Sequence, residues 1–244
     1  MYTRYIQDIY YIYITYIIKG RRPIMSFMYE ETPSYNNLKE KAYYIIKDKI
    51  INCEIPPGAF LEEEKLKEEI GASRTPIREA LNKLEQEDLI NILPKRGIFV
   101  TDINMKDIEN IFQIRLLMEP YIMKISYKNL VEDELLKYKE LFKEYFTDPK
   151  DDLYYTELDA RFHYFLVKAS DNKYLINMMQ QIFIQNHRIR VISAKKPDRI
   201  ENSINEHLRI IDFLLEGEID EAVSEMEEHI RQAREVALRL GINI

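Results

Sequence analysis

Residues 61–99, LEEEKLKEEIGASRTPIREALNKLEQEDLINILPKRGIF, leave this chain few choices of fold. Gly71 separates two helix-length runs. In the second run Ile77, Ala80, Leu81 and Leu84 fall at i, i+3, i+4 and i+7, one apolar stripe at helical period. The opposite face carries Thr75, Arg78 and Asn82. Ser73 is placed to cap this helix, and Pro76 lies in its first turn, where no intrahelical donor is lost. Gly71 ends the helix before it, whose buried side uses Leu66 and Ile70. Two helices joined by a short Gly-containing turn make a helix-turn-helix, a unit that places the N-terminal end of its second helix in the major groove.

A wing follows. Ile90, Ile92 and Leu93 lead into Pro94-Lys95-Arg96-Gly97, and Ile98-Phe99-Val100 returns. Two short apolar strands around a basic turn form a hairpin whose tip suits phosphate or minor-groove contact. Helix-turn-helix shapes also occur in plain helical proteins, and a polar helix face is usually just a solvated one. The cations weigh against that reading, because Arg74, Arg78, Lys95 and Arg96 stand where a groove-facing surface needs them. Residues 36–103 nevertheless carry 11 Lys and Arg against 13 Asp and Glu, so any attraction for DNA must be a local stripe.

The run Gly71-Ala72-Ser73-Arg74-Thr75-Pro76-Ile77-Arg78-Glu79-Ala80-Leu81, with Lys95-Arg96-Gly97-Ile98-Phe99-Val100 after it, resembles the winged helix of GntR-family bacterial transcription regulators. Pro56-Pro57-Gly58-Ala59-Phe60-Leu61 matches that family's loop before the second helix. The resemblance implies that Arg74, Thr75 and Arg78 contact double-stranded operator DNA, with Lys95, Arg96 and Gly97 at the wing tip.

The chain is 244 residues long with a formal charge of −7, 32% charged and 46% hydrophobic residues. That is a globular profile with room for one or two cores and modest non-specific affinity for nucleic acid. The single cysteine, Cys53, excludes an internal disulfide framework and fits a cytoplasmic protein. The first 24 residues hold six Tyr and seven Ile, with no helical stripe. Their longest uncharged run, Ile9–Ile18, falls short of the roughly 20 residues that span a bilayer, so no membrane partner is expected. One reading is an extra apolar helix or strand. The preferred one is that translation starts at Met25 or Met28, because Gly20-Arg21-Arg22 can be encoded by purine-rich triplets resembling a ribosome-binding site. The intact mass of the protein from its native host distinguishes the two, since a mass that includes residues 1–24 rules out the later start.

The expected organisation is a leader over 1–35, a winged helix-turn-helix over 36–101, a linker at 102–105 and an all-helical part over 106–244. A first helix, 38–53, is capped by Asn37 and buries Ala42, Ile45, Ile46 and Ile50. Beyond Asn104 no strand signal appears. Helices are expected over 106–129, 132–146, 151–169, 173–193, 199–216 and 218–240, with breaks at Asp148-Pro149, Ser170-Asp171-Asn172, Lys196-Pro197-Asp198, Gly217 and Gly241. The fold class is mainly α, with an antiparallel bundle of six to seven helices following the winged helix.

All four histidines, His163, His187, His207 and His229, lie in the helical part. Asp159 and His163 are four apart and project from one helical face. Three imidazoles and a carboxylate from facing helices suit a divalent transition metal such as Zn²⁺, Ni²⁺ or Mn²⁺. Spacing alone is weak support, because Asp-x-x-x-His is common on helices and a buried His more often makes a simple hydrogen bond. The contexts add more. Leu158-Asp159-Ala160-Arg161-Phe162-His163, Ala169-Ser170-Asp171-Asn172, Glu206-His207-Leu208-Arg209-Ile210-Ile211 and Met226-Glu227-Glu228-His229-Ile230 resemble the FCD effector domain of the FadR-like GntR branch. The resemblance implies the ligand set Asp159, His163, His207 and His229, a homodimer on a pseudo-palindromic operator, and a small organic acid as effector. Open metal positions could take such an acid, with Arg115 pairing its other end; the alternative for Arg115 is an intrahelical pair with Glu119. Asn172 either lines the pocket or shapes its turn. His187 matches no ligand position and is expected at the pocket wall or an interface. Two other functional readings stay open here, a metal-dependent enzyme with an appended DNA-binding domain and a regulator whose metal is purely structural.

Overall fold

The computed structural model describes residues 37–194 and 198–241. The leader reading, the start at Met25 or Met28 and the break at Lys196-Pro197 lie outside the described residues. Helix α1 (Leu38–Ile51) starts where Asn37 Oδ1 accepts the Glu40 amide at 2.9 Å. Its buried side is Ala42, Tyr43, Ile46, Ile50 and Ile51, and Ile45 is only half-buried. Strand β1 (Phe60–Leu61), α2 (Glu63–Ile70), α3 (Arg74–Gln86), β2 (Ile90–Leu93) and β3 (Gly97–Val100) complete the winged helix.

Helix α3 buries Ile77, Ala80, Leu81 and Leu84, the stripe read from its periodicity. Gly71 ends α2 in the left-handed region at φ 70°, a conformation that favours glycine. Ser73 stands at the N-cap of α3 but makes no side-chain capping bond. The sheet differs from expectation. It has three antiparallel strands in the order β1-β3-β2, with Phe60 opposite Phe99 and Leu61 opposite Ile98. A two-residue strand has no period to detect, and only pairing with β3 reveals it. That pairing makes Gly97 necessary. Its φ is 109°, and a Cβ there would stand 2.2 Å from the Phe60 ring.

Six α-helices follow among the described residues: α4 (Met105–Ser126), α5 (Glu132–Lys143), α6 (Asp152–Lys168), α7 (Lys173–Ser193), α8 (Arg199–Glu216) and α9 (Ile219–Gly241). Asn104 and Asp107 form a reciprocal capping box at the start of α4. The stretches read as helix to 129 and to 146 end in single 3₁₀ turns, Tyr127–Asn129 and Glu144–Phe146. Gly241, expected as a stop, is the last residue of α9. Helix α9 packs along α4 and α8, α5 along α8, and α6 along α7 and α4. Helix α6 is enclosed, with every residue from Tyr155 to Val167 except Arg161 buried. It is therefore apolar or paired all round, without a one-sided stripe. No helix among the described residues is long and apolar enough to cross a membrane.

Candidate metal centre and DNA-facing surface

Three helices bring Asp159 and His163 (α6), His207 (α8) and His229 (α9) together. One ligand atom from each lies within 4.8 Å of all the others. His163 Nε2 is 3.1 Å from His229 Nε2 and 3.3 Å from His207 Nε2. The Asp159 carboxylate approaches His163 Nε2 to 3.6 Å and His207 Nε2 to 3.9 Å. The three rings are at most 1% exposed.

What stands behind the rings decides which atoms face inward. Glu119 on α4 accepts from His163 Nδ1, and Glu206 on α8 accepts from His229 Nδ1 at 2.6 Å. With their protons committed to these carboxylates, both rings turn bare Nε2 lone pairs towards each other. Two lone pairs at 3.1 Å repel, and a cation between them removes the repulsion. Burial pushes the His207 and His229 pKa values well below the usual histidine range. His207 stacks on Phe142 at 4.8 Å, and its Nδ1 has no hydrogen-bond partner. Three imidazoles and a carboxylate make a donor set that fits a divalent transition metal.

Arginines brace the acids. Arg115 Nε pairs with Glu119 at 2.5 Å and its Nη1 donates to Asn186 Oδ1 at 3.1 Å. Arg190 pairs with Asp159 at 2.5 Å, and Arg199 with Glu206 at 3.4 Å. Burial alone would raise the Glu119 and Asp159 carboxyls. Arg115 with His163 in the first case, and Arg190 with the histidines in the second, outweigh burial and hold both well below the carboxylate range. Glu206 is raised by burial against Arg199.

A cavity of about 50 Å³ adjoins the cluster, lined among others by Arg115, Asp159, Asn186, Arg190, His207 and His229. It has room for a few water-sized groups. Arg115 faces it but already spends its donors on Glu119 and Asn186. Arg190 faces it with Nη1 unpartnered.

Two residues expected near an effector lie elsewhere. Asn172 is the exposed N-cap of α7 and accepts the Tyr174 and Leu175 amides. His187 is fully buried and bonds Asn52 at the end of α1, 3.1 Å away, so it belongs to the junction with the winged helix. Sequence reading missed Glu119, Glu206 and Arg190 as parts of the site. Only the Arg115–Glu119 spacing carried a signal, and it read as a simple helical pair.

On the winged helix, Arg74, Thr75, Arg78, Lys95 and Arg96 are exposed, and Gly97 is half-buried at the hairpin turn. Arg74 reaches Glu64 at 3.1 Å and Arg78 reaches Glu63 at 3.3 Å. The acids that cancel the local charge thus sit on α2, against the cations. Exposed pairs of this kind are weak, so phosphate can replace the carboxylates.

The FCD-domain family profile matches residues 110–232, and the profile of bacterial regulatory proteins of the gntR family matches residues 38–100. The chain belongs to the GntR family, in the branch that carries an FCD domain. The Bacillus subtilis HTH-type transcriptional regulator YdhC is 29% identical over 71% of this chain and 81% of its own. The Escherichia coli HTH-type transcriptional repressor RspR is 26% identical over 81% and 88%. A GntR regulator from Rhodococcus sp. RHA1 shares the fold with TM-score 0.73 at 19% identity, covering 82% of this chain and 97% of that one. The protein is a transcriptional regulator with a GntR DNA-binding part and an FCD part, not an enzyme.

His187, outside the ligand set, gives a pH dependence of its own. Burial, then the nearby Arg190, pushes its pKa down to about 3 against opposition from Asp159. Unfolded, the ring titrates near 6.5. Between these values only the unfolded chain holds the extra proton, so stability falls as the pH drops from about 6.5 towards 3. In urea unfolding across that window, wild type should lose up to about 1.4 kcal/mol per pH unit more than His187→Gln. Parallel pH profiles would contradict this.

Proposed function

We propose that this protein is a homodimeric, cytoplasmic, ligand-responsive regulator. Residues 36–101 grip operator DNA, 102–105 link, and 106–244 hold a divalent metal and a small carboxylate effector. The observation that carries the reading is the convergence of three imidazole Nε2 atoms and the Asp159 carboxylate on one buried point. Asp159, His163, His207 and His229 would hold Zn²⁺, Ni²⁺ or Mn²⁺, with Glu119 and Glu206 fixing two of the rings. When bound, the ion offers an organic acid a positively charged docking point. Arg190, with a donor to spare, is better placed than Arg115 to meet a carboxylate.

Two-fold symmetry matches two winged helices to two half-sites. Leu117, Tyr121 and Ile125, 51–66% exposed at successive turns of α4, supply an apolar strip for a second copy. Arg74, Thr75 and Arg78 would read the groove, and Lys95 and Arg96 the backbone beside it. Whether a ligand releases or promotes DNA binding depends on which arrangement it binds better.

Two experiments test the two halves. On a duplex selected from random sequence, native mass spectrometry should find two protomers per duplex. Arg78→Ala should weaken binding at least about fivefold, since a good base contact is worth about 1–3 kcal/mol. One protomer per duplex defeats the dimer assignment, and unchanged affinity removes Arg78 from the DNA-contacting set. His207→Ala should lower bound zinc below one ion per chain and abolish the rise in Tm that zinc gives wild type, because a ligand bound only by the folded state stabilises it. Full zinc occupancy in that variant removes His207 from the site.

A further inference from the structure

The candidate DNA-facing surface carries acids of its own, set among its cations. The first turn of α2 lies beside the first two turns of α3, because Glu63 and Glu64 of one reach Arg74 and Arg78 of the other. The two acids are not equivalent. Glu63, 25% exposed, accepts from Arg78 Nε at 3.3 Å and stands 4.0 Å from Arg74 Nε. The Nη atoms of Arg78 make no hydrogen bond among the described residues, and an arginine reads guanine through two such donors. Glu64, 62% exposed, instead accepts from Arg74 Nη2 at 3.1 Å. It also pairs with Lys67, three residues on.

An acid in the first turn of a helix is favourable on its own account. That account needs no arginine, whereas Glu64 occupies a donor of the residue that opens α3. Lys67, then Arg74, hold Glu64 below the usual carboxylate range, so it is charged at neutral pH. A phosphate gains Arg74 Nη2 only by displacing Glu64. The duplex also brings roughly one negative charge per 1.7 Å of its axis towards the displaced carboxylate. Both effects oppose binding, and both act on any sequence, because neither involves a base.

We propose that Glu64 is a built-in brake on non-specific DNA binding: it stands in for phosphate on Arg74 and is expelled when a duplex arrives. The brake rests on the reading that Arg74 faces DNA. It matters most on unselected DNA, where phosphate contacts supply nearly all of the affinity. Base reading by Arg78 is untouched by it, since Glu63 holds that side chain at Nε. Glu64 acts through the arginine it occupies and makes no base contact of its own.

Fluorescence anisotropy of the full chain with a labelled duplex of unselected sequence, between about 50 and 200 mM salt, tests it. Glu64→Gln should tighten binding at least about threefold at the lower salt. The slope of log K against log salt should steepen by at least about 0.5, towards the roughly 0.9 that one more phosphate contact gives. A mere loss of folding would weaken binding instead, and Glu64→Ala serves if Glu64→Gln does not fold. Glu69→Gln removes the same charge from α2, but Glu69 pairs with Lys49 of α1. Its affinity should stay within about 1.5-fold of wild type, since solvent and salt screen a charge away from the contact. Arg74→Ala should weaken binding at least about twofold. The brake is overturned if Glu64→Gln binds no tighter, if its salt slope is unchanged, or if Glu69→Gln tightens binding equally. Unchanged affinity in Arg74→Ala overturns the reading of Arg74 as a DNA contact, and the brake with it. Weakening by Arg74→Ala without tightening by Glu64→Gln overturns the brake alone.

Discussion

The bundle depends on one electrostatic arrangement, imidazole lone pairs turned towards one another because carboxylates behind them hold the ring protons. Glu119 does this for His163 and Glu206 for His229. Neither acid could be buried without its own cation, so Arg115 and Arg199 are drawn in as well. The buried charge then spreads over α4, α6, α7, α8 and α9, and these helices must keep their mutual placement for any pair to survive. Breaking a buried pair leaves an uncompensated charge, which is far more costly than never having buried it. The centre of the bundle is thus specified by polar groups, while its apolar residues mainly fill volume around them.

The winged helix is built on the opposite plan. Its core is mainly Ile, Leu and Ala from α1, α2, α3 and the sheet, and its charges stay outside except for Lys47, buried against Glu87. Arg74 and Arg78 keep exposed carboxylate neighbours on α2, so exposed cations coexist with an overall acidic segment. The two plans meet at the seam under α7, where a few buried hydrogen bonds lie over continuous apolar packing.

Much of this is legible in the order of the amino acids. The stripe of Ile77, Ala80, Leu81 and Leu84 announces α3, because apolar residues at a 3.6-residue period are what a half-buried helix requires. The bounds of α7 and α8 follow from capping and stop residues at their ends. Other features have no local signal. Strand β1 is too short to show alternation. Helix α6, buried on nearly every side, has no polar face, and its span is legible only from the breaks at Asp148-Pro149 and Ser170-Asp171-Asn172. Within the site, Asp159, His163, His207 and His229 can be singled out because histidine is scarce here and their contexts resemble a known domain. Glu119, Glu206 and Arg190 cannot, since glutamate and arginine are abundant and only tertiary packing separates these from their solvated counterparts. His187, read as a pocket-wall or an interface residue, stands at an interface, the joint with the winged helix, and nothing in its local sequence separates the two.

Gly97 has a consequence beyond its own turn. Its single hydrogen leaves just enough clearance for the Phe60 ring, and the ring in turn leans edge-on against Phe99 at 5.4 Å. The close approach of β1 to β3 beside the basic turn is therefore permitted by an atom that is missing rather than by a bond that is made. Any larger residue at 97 would have to displace that aromatic wedge at the foot of the turn that carries Lys95 and Arg96.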